Sequence, residues 1–78
     1  MTQAEAICWL AGLFQETPGR LTPDTSREDV EAWDSMGLLK LVAGLDSDFG
    51  IEVQDEEIQG MKKVNDVLEI LRRKGALN

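Results

Sequence analysis

The chain has 78 residues, 42% of them hydrophobic, and a formal net charge of -7, because 15 acidic residues outnumber 8 lysines and arginines. This charge is opposite to the one that phosphate backbones attract, so nucleic acid is not expected as a ligand. Histidine is absent, which removes the usual general base and the commonest ligand of transition metals. A chain of this length supports one small core, so residues 1–78 are expected to form a single domain.

The first predicted element is a helix over residues 3–16. Thr2-Gln3-Ala4-Glu5 fits the S/T-x-x-E capping box, and apolar residues at positions 4, 7, 8, 11 and 14 then follow a helical period. Cys8 lies in this apolar stretch and is expected to be a buried thiol in a reducing compartment. The apolar run is shorter than the ~20 residues of a membrane span, and Glu5 stands where a signal peptide needs basic charge. We therefore expect a cytoplasmic protein that does not contact membranes.

A long loop is predicted to follow the first helix. Thr17-Pro18-Gly19 ends that helix, and residues 20–33 show no sustained period, with one short turn expected around residues 26–30. A connection of this length is unusual in a compact domain and is often functional.

The second helix is predicted over residues 35–49. Asp34 is a favourable N-cap, and Gly50 can end the helix in the left-handed conformation. The helix carries an apolar stripe that is expected to face the core. This stripe consists of Leu38, Leu41, Val42, Leu45 and Phe49.

The last third of the chain is predicted to contain a short turn and a final helix. Ile51 and Val53 are too few apolar residues to indicate a strand, and their side chains are expected to fill the core beneath a turn at residues 55–59. The final helix covers residues 64–74, and its basic last turn suits the negative end of the helix dipole. With no strand pair in the sequence, the predicted fold is an all-α bundle of three to four helices.

The residues that carry chemistry are Asp34-Ser35-Met36, where a serine follows the N-cap at the end of the long loop. Here the sequence resembles the acyl carrier protein family, whose signature at the start of the second helix is Asp-Ser-Leu or Asp-Ser-Met. The resemblance continues through Phe49-Gly50-Ile51-Glu52-Val53 to residue 71 and is looser over the first helix. It implies a bundle of the acyl-carrier type with a long loop between the first and second helices.

The resemblance also implies a cofactor. Ser35 would receive 4′-phosphopantetheine from coenzyme A, and Asp34 would both cap the helix and contact the phosphopantetheinyl transferase. The arm would carry acyl groups as thioesters, so the chain would be a carrier and not an enzyme. A phosphodiester on Ser35 would be stabilised by the free N–H groups and the positive dipole end of the second helix.

One outer face of the second helix is expected to bind partners. Members of the family dock their enzymes there, which implies a ketosynthase or an acyltransferase as partner beside the transferase, and a monomeric carrier. Two exposed apolar residues alone would need no such explanation. The face consists of Met36, Leu39, Lys40, Ala43, Asp46 and Ser47.

The pathway stays open because the sequence departs from the pattern of fatty-acid carriers. Those carriers commonly have an acidic residue five positions after the modified serine, where this chain has Lys40. Trp33 directly before the aspartate resembles discrete carriers of polyketide or specialised acyl pathways, and Asp-Ser-Met-Gly also occurs in D-alanyl carriers. Fatty acid, polyketide-like and D-alanyl pathways are therefore all compatible with the motif.

Two other functions compete with the carrier. Asp46, Asp48 and Glu57 have the spacing of positions 1, 3 and 12 of a calcium-binding hand, but Ile51 stands where that loop needs glycine, so no metal site is predicted. The alternative from another class is a small acidic helical domain that binds partners and is never modified. Modification of Ser35 separates this alternative from the carrier.

Overall fold

The computed structural model describes residues 1–77, and their regular structure is entirely helical, without strands. The predicted all-α bundle is confirmed. In chain order the elements are α1 (Gln3–Phe14), two 3-10 turns (Pro18–Arg20 and Arg27–Asp29), α2 (Ser35–Phe49), α3 (Asp55–Gln59) and α4 (Val64–Arg73).

Helix α1 begins with the predicted capping box. Thr2 Oγ1 accepts from the Glu5 backbone N–H at 3.2 Å, and the Thr2 backbone N–H donates to Glu5 Oε1 at 2.8 Å. The second of these bonds lowers the pKa of the Glu5 carboxyl below its ordinary value. The helix ends at Phe14, two residues before the predicted end, because Gln15 adopts the left-handed conformation with φ 56°.

The buried face of α1 differs from the predicted one, and Cys8 is exposed. The expectation of a buried thiol is wrong. Because the helix is apolar almost all the way round, periodicity did not single out one stripe. Cys8 lies two positions from both Ala6 and Leu10, about 200° around the helix from each, and those two residues are fully buried.

The long connection between α1 and α2 is anchored to the segment between α3 and α4. Ser26 and Lys63 form an isolated antiparallel bridge, and the Arg27 backbone N–H donates to the Lys62 carbonyl at 2.8 Å. The predicted turn around residues 26–30 is present as the second 3-10 turn. The anchoring fixes the path of the chain that leads into α2.

Helix α2 has the predicted bounds, and Gly50 ends it with φ 66°. Within its predicted stripe, Leu41 and Leu45 are fully buried, while the other members are half-buried. Ile51 is buried as predicted, and Val53 is half-buried. Among residues 1–77, no helix has the length and apolar character needed to cross a bilayer.

Helix α4 completes the core. It begins at Val64, where Asp66 Oδ2 accepts from the backbone N–H groups of Lys62 and Lys63 at 2.9 Å each. Its apolar face is buried against the other helices, and the core continues into the long loop through Leu21, Val30 and Trp33. The loop therefore packs as part of the fold.

Candidate functional site

Ser35 is the first residue of α2, and its side chain is exposed. Within the described residues its hydroxyl forms no hydrogen bond, and Asp34 Oδ1 accepts from the Gly37 backbone N–H at 2.9 Å. The Asp34 carbonyl also accepts from the Leu38 N–H at 2.8 Å. The predicted capping role of Asp34 is confirmed, and the serine hydroxyl lies free at the positive end of a well-formed helix.

The residue before this cap is firmly held. Trp33 is 2% exposed, and its ring stacks on Phe14 with centroids 5.2 Å apart and an interplanar angle of 22°. Its carbonyl accepts from Arg27 Nε at 2.9 Å. The sequence alone predicts no structural role for Trp33. The feature that could have indicated its burial is a large aromatic side chain in a polar loop, since such side chains are usually buried.

Gly37 allows the loop to pass closely over the first turn of α2. A Cβ atom at Gly37 would overlap the backbone carbonyl of Ala32 and would lie 3.6 Å from the Phe14 ring. The sequence alone does not predict this role of Gly37 either. The feature that could have indicated it is a glycine inside a predicted helix, where glycine is about 1 kcal/mol less favourable than alanine.

The predicted partner-binding face of α2 is accessible throughout. Met36 and Leu39 are each 65% exposed, and they are the large hydrophobic residues that residues 1–77 leave exposed. Lys40, Ala43, Asp46 and Ser47 are exposed as well. The face begins next to Ser35 and follows the helix for its whole length.

A cleft of about 660 Å³ lies beside Trp33, between the loop and the segment that joins α3 to α4. Trp33 and Met61 are the apolar residues that line the cleft, and its other lining residues are polar or charged. Trp33 Nε1 is buried and lacks a hydrogen-bond partner within the described part of the chain. The site thus combines the exposed Ser35 with a recess of mixed polar and apolar lining, one of whose lining residues, Trp33, precedes Ser35 by two positions.

A small helical bundle with an exposed serine at the capped start of its second helix has the features of a carrier protein, and comparison with known proteins agrees. The chain is 38% identical over 60 residues to an acyl carrier protein of Thermosynechococcus vestitus, covering 76% of this chain and 73% of that one. It is 32% identical over 54 residues to an acyl carrier protein of Solidesulfovibrio magneticus, covering 69% of each.

A third relative covers more of the chain at lower identity. The meromycolate extension acyl carrier protein of Mycolicibacterium smegmatis is 28% identical over 76 residues, which are 92% of this chain and 77% of that protein. No protein-family model matches the chain. The chain belongs to the acyl carrier protein family, whose members carry groups and do not catalyse reactions.

Proposed function

We propose that Ser35 receives 4′-phosphopantetheine from coenzyme A and that residues 1–78 act as a single carrier domain for acyl thioesters. The observation that carries the proposal is the exposed, unbonded Ser35 hydroxyl at the first residue of α2, directly after the Asp34 cap. The phosphodiester would lie where backbone N–H groups and the helix dipole favour an anion. Relatives named acyl carrier proteins support the same function.

The attachment reaction uses the serine oxygen as nucleophile. Ser35 Oγ forms a bond to the phosphorus of the pantetheine phosphate, and the bond from that phosphorus to the adenosine bisphosphate half of coenzyme A breaks. The hydroxyl proton passes to a base of the transferase, because this chain contains no histidine. Asp34 would contact the transferase while it keeps the first turn of α2 formed.

The packing around Trp33 supports a fixed starting point for a flexible arm. The stacking on Phe14, the bond from Arg27 and the close approach at Gly37 hold the backbone on both sides of Ser35. Partners would then find the serine in one position on every carrier molecule. Pre-ordering of this kind lowers the entropy lost on binding.

The outer face of α2 would dock the partner enzymes. Besides the transferase, these would be enzymes that load or process acyl groups, such as a ketosynthase or an acyltransferase, in a fatty-acid, polyketide-like or related pathway. The exposed Met36 and Leu39 would supply the apolar contacts, and the charged residues of the face would orient the encounter. The carrier would act as a monomer.

Intact-mass spectrometry after incubation with coenzyme A and a phosphopantetheinyl transferase tests the proposal. The expected result is one added phosphopantetheine, mapped to Ser35 and lost in Ser35→Ala. Thr17→Ala is the control, because it removes another exposed hydroxyl that lies outside the partner-binding face, and it should be modified normally. Modification at Ser26 or Ser47 would contradict the assignment of Ser35, and no modification with several competent transferases would favour the unmodified interaction domain instead.

Asp34→Asn tests the transferase contact separately from the cap. Asparagine is as good an N-cap as aspartate, so the melting temperature should stay close to that of the wild type. The rate of modification should fall, because the negative charge that would face the transferase is lost. An unchanged rate would limit Asp34 to its capping role.

A further inference from the structure

Arg27 connects two separate parts of the molecule. Its backbone N–H donates to the Lys62 carbonyl at 2.8 Å, in the segment that joins α3 to α4. Its side-chain Nε donates to the Trp33 carbonyl at 2.9 Å, directly before the Asp34 cap. Its own carbonyl accepts from the Val30 N–H at 3.1 Å and closes the second 3-10 turn. Through this one residue, the end of the long loop is tied to the segment between α3 and α4.

The guanidinium of Arg27 lies in an acidic part of the sequence but does not pair with a carboxylate. Five acidic residues stand within seven positions of it, at positions 24, 28, 29, 31 and 34. Within residues 1–77 Arg27 forms no ion pair, and its side chain donates to a backbone carbonyl instead. Hydrogen bonds from charged donors are the stronger ones, and this one is partly buried. The bond therefore fixes the peptide group between Trp33 and Asp34.

This peptide group controls the start of α2. Asp34 caps the helix with its side chain, which accepts from the Gly37 N–H at 2.9 Å while the Asp34 backbone is extended, with φ -95° and ψ -161°. Rotation of the peptide group before Asp34 changes this φ and withdraws the cap. Ser35 is the first residue of the helix, where the N–H has no intrahelical partner, so its position depends on the cap.

Resting on the proposed function, we propose that Arg27 is a positioning residue for the reaction at Ser35: its Nε–H holds the Trp33 carbonyl, and this bond keeps Ser35 where the phosphopantetheinyl transferase recognises it. The bond acts, and the positive charge does not. Without the bond, the Trp33 carbonyl turns towards water in part of the molecules, and only the remaining fraction presents Ser35 correctly. A partner that binds only this fraction has a higher apparent Kd, while the bound complex reacts as before.

Three substitutions at Arg27 separate the bond from the charge. Arg27→Gln removes the charge but places an amide N–H at the same number of bonds from Cα as Nε. Arg27→Met has a methyl group at that place, so it lacks both the donor and the charge. Arg27→Lys keeps the charge, but its ammonium group lies one bond further from the backbone.

Kinetics of phosphopantetheine transfer from coenzyme A are the first readout. Arg27→Met and Arg27→Lys should raise the transferase KM for the carrier about threefold to tenfold, the effect of one lost hydrogen bond, and leave kcat unchanged. Arg27→Gln should keep the wild-type KM, because it restores the donor.

Hydrogen exchange gives a second readout that needs no transferase. The Gly37 amide, which donates to Asp34 Oδ1, should exchange about threefold to tenfold faster in Arg27→Met, relative to the amides of α4, because the cap opens more often. In Arg27→Gln its exchange should match that of the wild type.

Two variants serve as controls and should keep the wild-type KM. Arg20→Met makes the same change on an exposed arginine of the same loop, whose side chain has no hydrogen bond or ion pair within residues 1–77. Thr2→Ala removes the capping box of α1 and so lowers stability from another helix. All assays are run at a temperature at which urea unfolding curves show every variant to be folded.

Three results would overturn the inference and leave the carrier function intact. Arg27→Gln as impaired as Arg27→Met would assign the effect to the charge. A wild-type KM in Arg27→Met would show that the bond does not position Ser35, and an equal rise of KM in Thr2→Ala would assign the effect to stability. A wild-type protein that takes no phosphopantetheine, read by intact mass, would overturn the proposed function and this inference with it.

Discussion

Two tryptophans pack against opposite ends of α2. At the N-terminal end Trp33 lies flat on Phe14, is 2% exposed, and has an N–H for which residues 1–77 supply no acceptor. At the C-terminal end Trp9 meets Phe49 edge-on, with centroids 4.9 Å apart at 66°, and donates to Asp48 Oδ2 at 2.8 Å. Trp9 is half-buried.

The two arrangements differ in what they leave unsatisfied. The Trp9 end has every feature of a structural contact, since its apolar ring is packed and its polar atom is bonded at the surface. The Trp33 end is packed more tightly, but within residues 1–77 its indole donor has no partner. Unpaired buried polar groups are uncommon in folded proteins, so the two ends of α2 differ in how completely their polar atoms are satisfied.

The largest expected effect comes from truncating the two tryptophans. Trp33→Ala should lower the free energy of unfolding by about 3–5 kcal/mol, the range for large buried aromatics, and Trp9→Ala by about 1–2 kcal/mol, because its ring is only half-buried. Single cores of this size rarely supply more than about 3–5 kcal/mol, so Trp33→Ala should be largely unfolded. Urea unfolding followed by circular dichroism measures both, and equal losses would contradict the contrast between the two ends.

The glycines beneath the two ends provide the next test. Gly37→Ala should cost about 2–3 kcal/mol, because its Cβ would overlap the Ala32 backbone carbonyl and the loop would have to move. Gly44→Ala should stay within about 0.5 kcal/mol of the wild type. Its Cβ would lie 3.0 Å from the Trp9 ring, a contact that a shift of a few tenths of an ångström by this half-buried ring relieves, and alanine favours the helix.

Gly12→Ala in α1 is the control for helix propensity alone. A Cβ there has no neighbour within 4 Å, so the variant should be stabilised by up to about 1 kcal/mol. Thermal melts of the three variants should rank Gly12→Ala above Gly44→Ala and Gly44→Ala above Gly37→Ala. A Gly37→Ala variant as stable as the wild type would show that the loop over α2 is not tightly packed.

Local signals made much of this fold predictable from the sequence. The bounds of α2 follow from Asp34 at one end and Gly50 at the other, and both residues act within one turn of the helix end. The capping box of Thr2 and Glu5 is equally local. The position of Ser35 at the start of a capped helix was predictable for the same reason.

The features that were missed depend on parts of the chain that are distant in sequence. The bridge between Ser26 and Lys63 joins segments 37 positions apart, and the burial of Trp33 depends on Phe14 in another helix. Cys8 was misplaced because α1 is apolar on several sides, and its orientation is decided by what it packs against. Tertiary contacts of this kind leave no period or cap in the sequence.

The hydrogen bond at the Trp9 end should have a small effect. Asp48→Ala returns the Trp9 N–H to water, so the loss should be about 0.5–1 kcal/mol, partly offset because a negative charge leaves the C-terminal turn of α2. Asp46→Ala removes the same charge from the same turn without that bond and is the matched control. The difference between the two melting temperatures measures this bond together with the longer one that Ser47 Oγ donates to Asp48 Oδ1 at 3.4 Å. A loss above about 2 kcal/mol would mean that the Trp9 N–H is also buried.

The smallest effect on stability is expected at Lys40, on the exposed outer face of α2 between the two ends. Lys40 is exposed, and it is the single basic residue between Arg27 and Lys62. Lys40→Glu should change the free energy of unfolding by less than about 0.5 kcal/mol, as exposed substitutions usually do.

If fatty-acid enzymes present basic patches to this face, Lys40 repels them, and Lys40→Glu should accelerate their turnover while it impairs the native pathway. The effect should act on association and should shrink as salt rises, because the Debye length falls to about 8 Å at physiological ionic strength. Lys74→Glu makes the same charge change on an exposed residue after α4 and should leave turnover unchanged. The measurement compares the three holo proteins with a fatty-acid ketosynthase across a salt series. Equal rates for Lys40→Glu and the wild type at low salt would show that Lys40 is a solvated side chain with no part in partner choice.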